Sequence, residues 1–220
     1  MKPLLRLLEP DEFNWPVSVV YSWIANVMEP AYVYIAERAA LPETTKTLLE
    51  IGGGDGRLAV ALAERYPTIE MIVTSDISAD MARKAGRRAQ RLNLGHRIRA
   101  EAHDVHRLGF EDESFDAVVS FASLHHWRDK AKGLREVDRV LKPGGVMAVM
   151  DGCGRPSFGT VRATVSDLGG SIWTTLAYWI GSKEVLMLPE LSGVVEQSGL
   201  RYLSMELEGP AAILRGVKPL

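Results

Sequence analysis

From Thr47 onward the apolar positions alternate between two patterns. Short, nearly unbroken apolar runs read as strands: Thr47 to Ile51, Ile69 to Thr74, Ile98 to Ala102, Phe115 to Phe121 and Val146 to Met150. Between them, apolar residues recur three and four apart, as on one face of a helix. Leu58, Ala61 and Leu62 share such a face in Arg57 to Tyr66, and Pro67 stops the run. Ser78 is suited to cap a second helix that runs to Leu92, where Asn93-Leu94-Gly95 ends it. An acidic turn, Glu111-Asp112-Glu113-Ser114, leads into the fourth strand. A third helix, from about Arg128 to Leu141, is stopped by Lys142-Pro143-Gly144-Gly145. Strands joined through helices of this length predict right-handed crossovers and a parallel sheet covered on both faces.

The two ends depart from that rhythm. Residues 13–40 are rich in aromatics and read as one or two helices punctuated by Pro16 and Pro30, with Pro42 closing the segment. Residues 158–182 also read as helical and aromatic. Pro189 to Ser198 is a short helix with Gly199 as its stop. Arg201 to Glu208 and Ala211 to Val217 are strands joined at Gly209-Pro210, a connection short enough to require an antiparallel hairpin. The expected fold is α/β: a doubly wound seven-stranded sheet, mostly parallel, with an antiparallel C-terminal edge hairpin. Residues 1–44 form an expected N-terminal helical cap segment. Residues 45–220 form the main domain, with a helical insertion at about 154–190.

Composition narrows the setting. The chain has 220 residues, enough for one sizeable core. A net charge of −2 gives no global reason to expect nucleic acid as a partner. Cys153 is the single cysteine, so no internal disulfide can form and a reducing, cytoplasmic setting is expected. Met1 to Glu9 is too short and too soon charged for a signal peptide. The longest uncharged stretch, Leu168 to Ser182, has only Ile172 to Ile180 as its most apolar part, against the roughly 20 residues a spanning helix needs. No transmembrane span is expected.

The first strand runs into Gly52-Gly53-Gly54-Asp55-Gly56. Glycines permit a sharp turn and leave no Cβ in the way of a ligand, and ligands of open α/β sheets bind at the carboxyl ends of strands. Gly54-Asp55-Gly56-Arg57-Leu58-Ala59 fits the G-x-G-x-x-A string of dinucleotide loops, but two residues late and with an acid inside the turn meant for pyrophosphate. No Gly-Lys-Ser/Thr accompanies it, which argues against a nucleotide triphosphate loop. Glu50, at the strand end, suits a cationic ligand and repels pyrophosphate.

Glu50-Ile51-Gly52-Gly53-Gly54-Asp55-Gly56 resembles the E/D-x-G-x-G-x-G motif of class I S-adenosylmethionine-dependent methyltransferases at every defined position. Leu134 to Gly145 resembles the "REhxRVLKPGG" segment of the UbiE-like (type 11) methyltransferases, with Asp138 where a small residue is more usual. The resemblance covers residues 45–152 and implies a Rossmann-like sheet, with S-adenosylmethionine as cofactor and S-adenosylhomocysteine as its product. It implies a cofactor site of Glu50, Gly52, Gly54, Asp55 and Gly56. Asp76 would hold the ribose hydroxyls, Ile77 would lie against the adenine, and Asp104 and Val105 would meet the adenine edge. Ser120 and Phe121 would line the sulfonium region. Plainer readings compete: Asp76 as a helix-capping acid, and Asp104 as a solvated loop acid.

Methyl transfer needs a base only if the acceptor must lose a proton. His125 and His126, after the fourth strand, are the candidates, and Asp151 at the end of the fifth strand is a further pocket residue. Adjacent histidines and a lone cysteine lack the spacing of a zinc site, so no metal is expected. In the resembled family the acceptor pocket is built from the N-terminal helices and the insertion after the fifth strand, here residues 10–40 and 154–190. Their aromatics, Trp15 and Tyr21 foremost, suit a small hydrophobic or planar acceptor, although aromatics at this spacing also serve as core. The same segments could meet a second copy of the chain, as a homodimer, or a membrane surface. The cluster Arg83, Lys84, Arg87, Arg88, Arg91, Arg97 and Arg99 reads as a solvated helix face or, more pointedly, as an RNA-contact patch. Two other functions stay open: a catalytically inactive S-adenosylmethionine-binding sensor, and an NAD-dependent oxidoreductase.

Overall fold

The computed structural model describes residues 29–154, 157–167, 187–208 and 211–220. Seven strands form one sheet: β1 (Thr47–Ile51), β2 (Met71–Asp76), β3 (Ile98–Ala102), β4 (Phe115–Phe121), β5 (Leu141–Gly152), β6 (Ser204–Glu208) and β7 (Ala211–Val217). Their order is β3-β2-β1-β4-β5-β7-β6. The first five are parallel; β7 runs antiparallel between β5 and β6. The order reverses between β1 and β4, so the crevice at their carboxyl ends is the switch point where open sheets bind ligands.

Six helices accompany the sheet among the described residues: α1 (Glu29–Arg38), α2 (Arg57–Arg65), α3 (Ala79–Arg91), α4 (Lys130–Val140), α5 (Phe158–Asp167) and α6 (Leu188–Ser198). Alternate strand residues feed two cores, as the two-residue period of a strand requires. Leu48, Ile72, Ala117 and Val119 pack with Ile35 and Ala36 of α1, Leu58 and Leu62 of α2 and Ala89 of α3. Leu49, Val73, Val118 and Met147 pack with Leu134 and Val137 of α4 and Leu191 and Val194 of α6.

Local signals place several boundaries where the sequence predicts them. Ser78 Oγ accepts the Met81 N–H and caps α3, Asn93 takes the left-handed conformation just beyond it, and Gly199 does the same after α6. Pro30 lies within the first turn of α1, a position where its missing N–H costs nothing. The fifth strand is longer than expected. Leu141 already pairs with Phe115, and Asp151 and Gly152 pair with Ala212 and Ala211. The sixth starts at Ser204, not Arg201. Gly209-Pro210, Trp15, Tyr21 and the apolar run Ile172 to Ile180 lie outside the described residues.

The second motif is a set of clamps. Glu136 accepts the Leu108 N–H and pairs with Arg139, whose guanidinium also donates to the carbonyls of Leu108 and Phe110. Arg135 donates to the Gln197 carbonyl on α6, and Lys142 meets Asp116 on β4 at 2.7 Å. Asp138, the departure from the usual motif, accepts the Tyr202 hydroxyl at 2.6 Å. The charges of Arg135, Glu136, Asp138 and Arg139 hold α4 to neighbouring elements, Lys142 holds β5 to β4, and none lines the switch-point cleft.

Candidate active site

At the switch point a narrow cleft is lined by Glu50 of β1, Gly52, Gly53, Gly54 and Asp55 just after it, Phe121 at the end of β4, Leu58 of α2 and Tyr32 of α1. The Tyr32 and Phe121 rings meet edge to face, 6.2 Å apart. Tyr34 and Arg215 tie α1 to the C-terminal hairpin, through Glu208 and through the carbonyls of Arg38 and Ala39. A segment remote in sequence thus forms one wall of the cleft.

The glycine loop is shaped by what surrounds it. A Cβ at Gly53 would lie 1.9 Å from Thr74 Oγ1 and 2.9 Å from Glu50 Oε2, so no other residue fits beside that carboxyl. Gly56 has φ +83°, and its α-carbon passes so close to Ala85 that a Cβ would meet that backbone at 2.9 Å. Glu50 is 2% exposed, and its Oε2 has no hydrogen-bond partner among the described residues. Burial pushes its pKa up to about 8, with Asp76 and Asp55 adding to the rise and a hydrogen bond from Thr74 opposing it. A buried carboxyl with an unmatched oxygen beside a glycine cradle is a site prepared for a cationic or hydrogen-bond-donating group.

Asp76 closes the loop from β2. Its Oδ2 accepts the Gly54 N–H at 2.9 Å and its Oδ1 accepts the Ser78 N–H at 2.8 Å. Burial raises its pKa, and these two N–H groups oppose the rise. Ser78, not Asp76, caps α3 through its side chain, so each Asp76 oxygen keeps a lone pair for a ligand. Ile77 beside it is 41% exposed. Asp55 is turned the other way: its Oδ2 meets Arg57 Nε at 3.2 Å and Arg88 Nη2 at 2.7 Å, and its carbonyl accepts from Arg88 Nε. Asp55 therefore reaches the cleft only as part of the loop.

After β3, Asp104 Oδ1 accepts from the His106 N–H and from His106 Nδ1. Burial raises the Asp104 pKa, but His106 and then Arg128 outweigh it and hold the carboxyl below its usual value. His106 Nε2 accepts the Asp129 N–H at 3.1 Å, which fixes the neutral Nδ1–H tautomer and links this loop to the start of α4. The Val105 side chain is buried among Leu49, Ile51 and Val73. Ser120 is fully buried and donates its hydroxyl to the Ile51 carbonyl, which holds the ends of β1 and β4 together.

Beyond Phe121 the chain passes through Ala122, in the left-handed conformation at φ 50°, into a short 3-10 turn, Leu124–His126. The turn brings His125 onto Asp151. His125 Nδ1 lies 2.8 Å from Asp151 Oδ1 and 3.0 Å from Oδ2, and Asp151 also accepts the backbone N–H groups of His125 and Gly152. Asp151 is 2% exposed. A carboxylate only accepts, so Nδ1 carries a proton and donates it, and Nε2 has no partner among the described residues. His126 packs against the His125 ring, 3.9 Å between centroids. Burial, then the neighbouring His125, pushes its pKa down to about 4; Asp151 opposes this and Lys130 adds to it. Of the two histidines, only His125 has an oriented ring. The sequence brought out both members of this pair singly; Thr74, His106 and Arg88, which hold the site's acids, it did not single out for the site.

Residues 49–149 match the family model described as a methyltransferase domain. The chain is 36% identical over 116 residues to a demethylmenaquinone methyltransferase of Deinococcus radiodurans, covering 53% of this chain and 47% of that one. It is 29% identical to a 2-phytyl-1,4-naphtoquinone methyltransferase of Nostoc punctiforme, over 74% of this chain and 70% of that one. The crystal structure of a SAM-dependent methyltransferase from Aquifex aeolicus superposes with a TM-score of 0.65 at 18% identity, covering 89% of this chain and 97% of that one, which shows the shared fold. The chain spans about half the length of the first of these relatives.

Proposed function

We propose, from the match of residues 49–149 to the methyltransferase domain model, that the chain is an S-adenosylmethionine-dependent methyltransferase whose acceptor is a small hydrophobic or aromatic molecule that loses a proton to His125. The observation that carries the reading is the Glu50 carboxyl, buried with one unmatched oxygen at the glycine cradle of the switch point. It fits a cofactor whose methionine end is cationic and free of phosphate, because a cation seated there draws out the carboxylate and a phosphate does not. When bound, that cofactor supplies a methyl group already activated on sulfur.

The chain's own residues supply position and a proton acceptor. Gly52, Gly54 and Gly56 shape the cradle; the remaining lone pairs of Asp76 accept from the ribose; Ile77 offers the apolar face for the adenine; Asp104 accepts from its amino group. Val105 contributes its backbone, and Ser120 and Phe121 wall the sulfur end. His125 Nε2 takes the proton of an acceptor O–H or N–H, while Asp151 fixes the ring and stabilises the imidazolium that forms. His126 packs the ring without titrating at neutral pH. The acceptor pocket is assigned to residues 10–40 and 154–190, with Trp15 and Tyr21 among its walls. Two relatives named for quinone substrates support a planar cyclic acceptor. A single cysteine fits a reducing, cytoplasmic setting, and the aromatic segments offer a surface for a homodimer.

The test is methyl transfer from radiolabelled S-adenosylmethionine to a panel of naphthohydroquinones, phenols and aromatic amines. Transfer to at least one acceptor, reduced a hundredfold or more in H125A with cofactor affinity kept, is expected. Cofactor binding without transfer to any acceptor would replace the enzyme by a sensor.

A further inference from the structure

The loop after β3 is held by α4 at two points. Glu136 and Arg139 fix its far end at Leu108 and Phe110. Its near end is fixed through His106, whose side chain is mostly buried between loop and helix. Asp129 caps α4 by accepting the Lys132 N–H, and its own N–H donates to His106 Nε2 at 3.1 Å. A backbone N–H only donates, so Nε2 holds a lone pair and Nδ1 carries the ring's proton. That proton is directed at Asp104 Oδ1, 2.5 Å away, and the His106 backbone N–H reaches the same oxygen at 2.9 Å.

The two oxygens of Asp104 are thereby made unequal. Oδ1 accepts twice. Oδ2 accepts no hydrogen bond among the described residues, and Arg128 Nη2 stands 3.7 Å from it, an ion-pair distance. Burial pushes the Asp104 pKa up, but the His106 bonds and charge, then Arg128, hold it below its ordinary value. The group therefore stays a carboxylate, which only accepts. The His103 N–H donates to the Asp76 carbonyl at 3.0 Å, so Asp104 lies one residue beyond the contact between β3 and the proposed ribose acid.

We propose, resting on the S-adenosylmethionine reading of this site, that His106 is a positioning residue of the adenine pocket: its fixed tautomer ties down Oδ1 of Asp104 and leaves Oδ2 aimed to accept the exocyclic amino group of the adenine. Without the Nδ1–H the carboxylate is free to rotate, and its acceptor is no longer preset. The helix α4, which touches no part of the cofactor in this scheme, thus sets the preference for an aminated purine through its capping residue.

A thermodynamic cycle between the residue and the ligand's amino group tests this. S-adenosylhomocysteine and its purine counterpart lacking the amino group are titrated by calorimetry into wild type, H106A, H106N and D104A. Wild type should prefer the amino compound about tenfold or more. In H106A the preference should fall to about threefold or less, through loss of affinity for the amino compound alone. A partly unfolded sample weakens both ligands alike, so a purely structural role leaves the ratio unmoved. H106N, whose amide N–H can replace Nδ1–H, should recover most of the preference. An H106A protein that keeps the preference where D104A loses it, or an H106N protein no better than H106A, overturns the role of His106 and leaves the cofactor reading standing. A D104A protein that keeps the preference, or a wild type that binds both compounds equally or neither, overturns the adenine pocket and the role of His106 with it.

Discussion

Glutamate 50 should make cofactor binding a proton-coupled event. Burial raises its pKa from 4.5 to about 8, so at pH 7 about nine-tenths of the free protein carries a neutral Glu50. A cation seated against Oε2 needs the carboxylate, and on the proposed reading it releases that proton. Calorimetry at pH 7 in two buffers of different ionisation enthalpy should report about 0.9 proton released per cofactor bound, and affinity should rise about tenfold per pH unit below pH 8. The same residue acts on stability with the opposite slope. Between pH 4.5 and 8 the folded state holds a proton that the unfolded chain gives up, so stability falls as pH rises through this window and levels off above it. At about 1.4 kcal/mol per unit, the 3.5-unit rise is worth about 5 kcal/mol. Glu50→Gln removes the titration. Its stability relative to wild type, read by urea denaturation at pH 5 and pH 8.5, should therefore improve by several kcal/mol as pH rises. Its cofactor affinity should fall about 30-fold or more, with no proton released. Equal pH slopes for the two proteins, together with buffer-independent binding heats in the wild type, would refute the reasoning.

Three further outcomes follow from the geometry. Asp76→Ala removes the partner of the Gly54 and Ser78 N–H groups as well as the ribose acceptor; cofactor Kd should rise at least tenfold, and an unchanged Kd would remove its role. Asp151→Asn can present its amide to His125 Nδ1 and so favour the wrong tautomer; kcat should fall about a hundredfold while cofactor Kd stays within about threefold, measured in steady-state assays. Arg97→Ala strands the carbonyls of Ile69, Ala63 and Tyr66; thermal denaturation should show a loss of about 2–4 kcal/mol without change in cofactor affinity corrected for the folded fraction.

Much of the scaffold was legible because its signals are local. β1, β3, β4 and β7 begin and end where the apolar runs and turn residues put them, and Ser78 caps α3 as its position suggests. The misses are tertiary. The Pro143-Gly144-Gly145 sequence reads as a break, yet β5 spans it because Leu141 finds Phe115 across a shift in register. The strand β2 sits two residues later than the apolar run because Met71 pairs with Thr47. Nothing in the chain order announces that β7 slips between β5 and β6. At the site, Glu50 and the glycines could be read from spacing alone. The union of His125 with Asp151 could not: it follows from β4 and β5 lying side by side, with Phe121 opposite Met150. The Asp55 side chain, adjacent to the cradle in sequence, turns away because Arg88, a full helix later, holds it.

The most direct test of the central claim is a calorimetric titration of the wild-type protein with S-adenosylmethionine, S-adenosylhomocysteine and NAD in parallel. Saturable one-to-one binding of the first two, with no heat from NAD, is predicted. Binding of NAD alone would contradict the account.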